Sequence, residues 1–325
     1  MQRVQAAVFG WWPLSASLLG LLALTAWSAW LIARAIRATW AQGRRAWRGA
    51  AIAVTRALAL LAIVFLVGWG FNYGRPDVPS RLAIAPEGPR VLLSTETLVE
   101  EYARTATALN ALRTRGLTAA DVTAAITPAE AHQIGETLRA TLTGFGVPTV
   151  PLRRLRVLPK GALLRFGTAG VYSPWTGDPH IDGALHPLQQ RFTACHELAH
   201  QQGITDEGDC NLLAYLTLAP SPEPLLAYSA ELTYLRYLRS AISRRDRDTF
   251  EGLSPKLDTA VVNDLRAIRR AQDAYAEIAP AARDLLYDSY LRTQGVHDGL
   301  SSYGRIIDYV VAVRKARPGL LRESR

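Results

Sequence analysis

The sequence predicts a mainly α-helical protein: two N-terminal transmembrane helices, then an α-rich domain with a small sheet. Three observations carry this reading. Val4 to Ala33 holds no charged side chain, and a bilayer span takes only about 20 such residues. Ala57 to Gly74 is a second uncharged run, ALALLAIVFLVGWGFNYG. From residue 76 onward the composition becomes that of a soluble domain, with apolar residues mostly at helical spacing. The expected division is a membrane anchor over 1–75, with spans at about 8–33 and 55–73, and an extracytoplasmic domain over 76–325.

The anchor also sets the orientation. The first run is too long for the apolar part of a cleaved signal peptide, and a second run follows it. Seven of the eight tryptophans lie before residue 70, several near the run ends, as in interfacial aromatic belts. The short connection carries Arg34, Arg37, Arg44, Arg45 and Arg48, and Arg56 stands at the start of the second run, where its side chain can snorkel to the interface. Arginine-rich short loops stay cytoplasmic. The chain after Tyr73 is therefore expected on the periplasmic or extracellular side of a bacterial inner (plasma) membrane, in a multi-pass protein whose first partner is the lipid bilayer. The formal charge of +9 belongs to the anchor: residues 1–75 hold eight arginines and no acid, against 29 Lys+Arg and 28 Asp+Glu afterwards. That excludes the basic face a nucleic-acid binder needs.

Through the domain, VPSRLAIAPEGPR reads as an extended linker, and Thr95–Arg115 and Ala119–Phe145 as helices. Residues 147–181 are rich in Pro, Gly and β-branched residues and read as a few short strands and loops. Beyond Gln189 the pattern is helical, broken at Pro220, Pro222 and Pro224 and again at Gly295 and Gly299. The charged run Ser243–Asp248 reads as a solvated helix end. Cys195 and Cys210, the two cysteines, read either as a disulfide or as small buried hydrophobes.

The chemistry lies in CHELAHQQGITDEGDCN, from Cys195 to Asn211. His196 and His200 are i and i+4, which puts both imidazoles on one helix face within reach of one zinc ion. Glu197 stands beside them as the general base of a metallopeptidase-type site. A polar surface stripe is the plainer alternative. Phe192 and Cys195 provide packing for the helix, Gly203 allows a sharp turn, and Thr205 or Asp206 offers an N-cap for a second helix. A catalytic zinc takes three protein ligands, and a carboxylate is the expected third. Glu207 is the choice, with Asp209 the alternative ligand; Asp209 also suits a helix N-terminus as plain charge. Asn211 shares a face with Glu207 and can orient a ligand histidine from behind. The Glu-x-x-x-Asn spacing is similar to the Glu-x-x-x-Asp of gluzincin peptidases, and it implies a zincin-like (α+β) domain. Tyr228, His297 and Tyr303 are candidate oxyanion stabilisers by residue type. Residues 170–182, with His180, are a candidate strand to pair with an extended peptide.

Five runs together resemble a bacterial membrane-protein family catalogued as domain of unknown function 3810. They are WGFNYGR from Trp69, GVYSPWTGD from Gly170, His196 through Asn211, the Tyr228-Ser229 pair, and GVHDGLSSYG from Gly295. The resemblance covers nearly the whole chain. Asp209 and Cys210 depart from its usual Glu and Ala. It implies fold and metal, not substrate.

The function expected is a membrane-anchored, zinc-dependent metallopeptidase that cleaves a peptide or protein substrate with a zinc-activated water. His196, His200 and Glu207 would hold Zn2+ and Glu197 would move the proton. The alternative is a non-catalytic envelope interaction or sensory protein that keeps the same fold. Retention of Glu197 favours the enzyme, since metal binding alone does not need it.

Overall fold

The computed structural model describes residues 44–84, 93–253, 256–278, 280 and 305–321, with scattered positions between 20 and 40. The described chain is mainly helical, with a small three-stranded sheet. The first expected span falls largely outside the described residues, as do Gly295, Gly299, His297 and Tyr303. Helix α1 (Arg44–Gly68) begins well before the expected start of the second span. Alanine and arginine at its start are good helix formers. Within it, Ala51–Gly68 is long and apolar enough to cross a membrane, and none of that stretch is buried. Leu58, Leu60, Ile63 and Leu66 all stand exposed.

The segment after α1 departs from the extended linker expected there. A 3-10 turn (Gly70–Gly74) leads into one helical turn, α2 (Val78–Arg81), whose Asp77 N-cap accepts from the Ser80 N–H. Val78, Leu82 and Ile84 are buried. An N-cap with proline in the first turn is a helix start, and the apolar residues give that turn a place in the core.

Helix α3 (Thr95–Thr114) follows the Ser94 N-cap. The single helix expected over 119–145 is two: α4 (Ala119–Thr123), closed by a Thr118/Asp121 capping box, and α5 (Pro128–Gly144). The break follows from Pro128. A residue before proline avoids the α region, and Thr127 takes an extended conformation and caps the new helix.

The sheet comprises β1 (Arg156–Leu158), β2 (Gly170–Ser173) and β3 (Asp178–Asp182), in the order β1-β3-β2. β1 runs parallel to β3, and β2 and β3 form an antiparallel hairpin with β2 at the sheet edge. His180 sits on β3, buried, with Nδ1 3.3 Å from the Val171 carbonyl. Burial lowers its pKa.

The remaining helices are α6 (Pro187–Gln201), α7 (Glu207–Leu218), α8 (Pro224–Arg245), α9 (Arg247–Glu251), α10 (Thr259–Asp273) and α11 (Ile306–Ala316). The prolines between Ala219 and Leu225 separate α7 from α8. Ser243, Arg244 and Arg245 are exposed, and Asp246 caps α9. α6 is the hub: it packs against α5, α7, α8 and the hairpin. Arg191 on its first half is fully buried and makes a bidentate pair with Glu130 at 2.6 and 3.1 Å. Both cysteines are buried and unbridged.

Candidate metal centre

Two helices and one turn build the site. α6 carries His196, Glu197 and His200; Gly203, at φ +88°, reverses the chain; Asp206 caps α7 and accepts from the Asp209 N–H at 3.1 Å. Glu207 therefore opens α7 facing back toward α6. Its Oε2 lies 3.0 Å from His196 Nε2 and 3.4 Å from His200 Nε2.

The other edges of both imidazoles are already committed. His200 Nδ1 is 2.8 Å from the Ile204 carbonyl, and His196 Nδ1 is 2.9 Å from Asn211 Oδ1. A carbonyl oxygen only accepts, so each Nδ1 carries its hydrogen. That leaves both Nε2 lone pairs converging with a carboxylate oxygen. Three acceptors pointing at one spot repel unless a cation sits among them, and this is the tautomer and orientation that a metal-ligating histidine needs. The residues fit a divalent metal on that ground. Burial opposes charge on His200, yet Cys210 and Glu207 lift its pKa well above the usual histidine range. Glu207, although buried, is held well below the usual carboxylate range by the two histidines.

His196, His200 and Cys210 also lie together, with ligand atoms within 4.8 Å of one another. The sulfur stands 3.4 Å from His200 Nδ1 and donates to the same Ile204 carbonyl at 3.7 Å. It is thus on the committed edge of the ring, opposite the Nε2 that faces Glu207. The geometry favours Glu207 over Cys210 as third ligand. Asp209 faces away altogether. Its Oδ2 accepts the Val78 N–H at 2.8 Å, and burial and Asp206 push its pKa up to about 8. Asp209, the alternative ligand, thus holds α2 against α7 and is not among the groups that converge.

Glu197 is buried with Oε2 unpartnered. Burial pushes its pKa up to about 7, against the lowering effect of His196 and His200. A β-carbon on Gly170 would stand 2.5 Å from Glu197 Oε1, so the glycine at the start of β2 is what lets the carboxylate lie against the strand. Both line a cleft of about 700 Å³, together with His196, His200 and Glu207.

The structure takes Tyr228 away from this cleft. It is fully buried and donates to Asp264 Oδ2 at 2.7 Å, in a cluster shared with Arg113. Sequence reasoning missed Arg236 and Tyr237, which do line the cleft. The Tyr237 hydroxyl bonds the Asn211 side chain; burial pushes its pKa up to about 12, assisted by Glu207 and opposed by Arg236. An arginine inside the apolar run of α8 was the available signal.

The turn at Gly203 is covered by the segment after α1. Arg75 Nη1 donates to the Gln202 carbonyl at 3.3 Å. Trp69 packs on Tyr172 with ring centroids 4.7 Å apart, and Tyr172 lies 6.5 Å from the His200 ring. Three of the sequence runs singled out above, WGFNYGR, GVYSP and HELAHQQG, are thus one packed unit. A sequence model of the family described as protein of unknown function (DUF3810) matches residues 1–311. The chain belongs to this family. No curated protein and no solved structure matches the chain. The family match spans α1, the hairpin and both site helices.

Proposed function

We propose that this member of the family is a membrane-anchored, zinc-dependent metallopeptidase. The observation that carries the proposal is the convergence of His196 Nε2, His200 Nε2 and Glu207 Oε2, each Nδ1 already spent, beside the buried, unpartnered Glu197 carboxylate. Zinc, when bound by these three, supplies a Lewis acid that polarises a carbonyl and acidifies water to near neutral pH. Glu197 takes the proton of the attacking water on a carboxylate oxygen and delivers it to the leaving amine nitrogen. Asn211 fixes the His196 ring through Nδ1 and also holds the Tyr237 hydroxyl. Tyr237 and Arg236 stand in the cleft wall as donors for developing negative charge on the substrate oxygen. β2 offers an edge along which an extended peptide can pair.

A non-catalytic metal protein would have no use for Glu197. A buried carboxyl without a partner costs stability, and a protein that only holds an ion needs its three ligands, not a second acid facing the cleft. The test is hydrolysis of a mixed peptide library by the full chain in detergent, by Glu197→Gln, and by the parent with chelator. Chelator-sensitive cleavage by the parent, reduced about 10²–10⁴-fold in Glu197→Gln at equal zinc content, is expected. Equal rates in parent and variant would refute the role of Glu197.

A further inference from the structure

The eighth tryptophan, Trp175, is the only one after residue 69, and it sits at the tip of the β2–β3 hairpin. Its ring lies 5.7 Å from that of Phe65. Phe65 is three residues inside the end of α1, which at a helical rise of about 1.5 Å per residue is nearly one turn back along the axis. The hairpin tip therefore reaches back beside the one described helix that is long and apolar enough to cross a membrane. The turn after α1 also meets this hairpin, with Trp69 packed on Tyr172, and apolar residues on both are open: Phe71 is 76% exposed, Trp175 43% and Val171 42%, with Phe166 58% exposed in the cleft lining. Phe166 and Val171 line the cleft, as does Trp69 at the end of α1.

Scattered exposed apolar residues need no explanation, but several on packed neighbouring segments that include a cleft wall mark an interaction surface. What meets this one is decided by its continuity with α1. If Ala51–Gly68 lies in hydrocarbon, a side chain alongside Phe65 lies at the edge of the same hydrocarbon. Tryptophan is the residue enriched at that depth. We infer that the hairpin tip and cleft rim are seated in the bilayer interface, so that the cleft takes polypeptide held at the membrane surface, such as the juxtamembrane stretch of an anchored protein. The seating of the rim stands on geometry alone; the substrate class rests on the peptidase reading.

Both native cysteines are fully buried, so a surface cysteine can be spin-labelled selectively. Phe71→Cys, Trp175→Cys and, as a control on exposed α9, Arg247→Cys would each be labelled in the full chain and reconstituted in phosphatidylcholine vesicles. Labels at 71 and 175 should collide more with oxygen than with a water-soluble nickel chelate, and the label at 247 the reverse. A label at 175 that behaves like the one at 247 overturns the proposal. The same vesicles would then receive one quenched peptide with and without a palmitoyl chain. The palmitoylated form should be cleaved on the order of tenfold faster, through its effective concentration at the surface, and Phe71→Ser/Trp175→Ser should lose most of that advantage. Equal rates for the two peptides, or an advantage untouched by the double variant, would refute the substrate class. If neither peptide is cleaved while the labels at 71 and 175 report lipid, the peptidase reading fails and the seating of the rim stands.

Discussion

Asn211 bonds His196 Nδ1 at 2.9 Å and also holds the Tyr237 hydroxyl. An amide can accept from one and donate to the other, which a carboxylate cannot do when ionised. Removing such a partner typically lowers metal affinity 10–100-fold. Asn211→Ala should therefore weaken zinc binding by that order in competition with a chromophoric chelator; unchanged affinity would mean that His196 is oriented by something else. Gly170 makes a sharper case. A methyl group there meets the Glu197 side chain at 2.5–2.8 Å, and its three nearest atoms all belong to that residue. Gly170→Ala should keep its zinc and lose most hydrolysis, measured side by side on one preparation. Loss of zinc instead would show that the strand supports the ligands as well as the base.

Elements explain both what the sequence disclosed and what it concealed. The α6–turn–α7 unit is local. His196, His200, Glu207 and Asn211 are related by helical spacing within 16 residues, and the glycine and N-cap between the helices are read from residue type. Its turn is accordingly sensitive. Gly203 at φ +88° occupies a conformation that costs an L-residue roughly 1–2 kcal/mol, and a β-carbon there also meets Arg75 Nη1 at 2.4 Å. Gly203→Ala should lower the thermal midpoint of the full chain by that order of energy, while Gly252→Ala, whose nearest neighbour is at 3.5 Å, should leave it nearly unchanged. Tyr237 and Arg236 were not legible, because which face of α8 meets the cleft depends on packing far away in sequence. Tyr228 was misread for the same reason. It lies nine residues before Tyr237, two and a half turns on a helix of 3.6 residues per turn, and so on the opposite face. The split between α4 and α5 was available in Thr127-Pro128, but continuous apolar spacing across it hid the break. The sheet was expected only as a few short strands, since its register comes from tertiary pairing.

At the scale of the whole molecule, the segment after α1 is tied into the helices that carry the site. Arg75 bonds the Gln202 carbonyl and Val78 bonds Asp209, so residues 69–84 are part of the site's support. Far from the cleft, a buried network ties α11 to α3, α7 and α8. Arg314 reaches Glu101 at 3.1 Å and the Tyr215 hydroxyl at 2.8 Å, and Tyr215 donates to Glu231 at 2.8 Å. Glu231 Oε2 is left unpartnered, and burial pushes its pKa up from 4.5 to about 7, against Tyr215 and Arg314. A carboxyl whose folded value is raised binds its proton more tightly when folded, so its contribution to stability is lost as pH rises through this window. Glu231→Gln keeps an acceptor for Tyr215 and does not titrate. Its thermal midpoint relative to the parent should therefore rise between pH 5 and pH 8; a constant difference would contradict the raised pKa.

The central claim is a metal held by His196, His200 and Glu207. X-ray absorption at the zinc edge, on the full chain loaded with one equivalent, tests it most directly. The account predicts nitrogen and oxygen ligands at about 2.0–2.2 Å, including imidazole scattering from two histidines, and no sulfur. A zinc–sulfur distance of about 2.3 Å would place Cys210 in the coordination sphere and contradict the assignment, and failure to bind zinc at all would remove the metal centre on which the account stands.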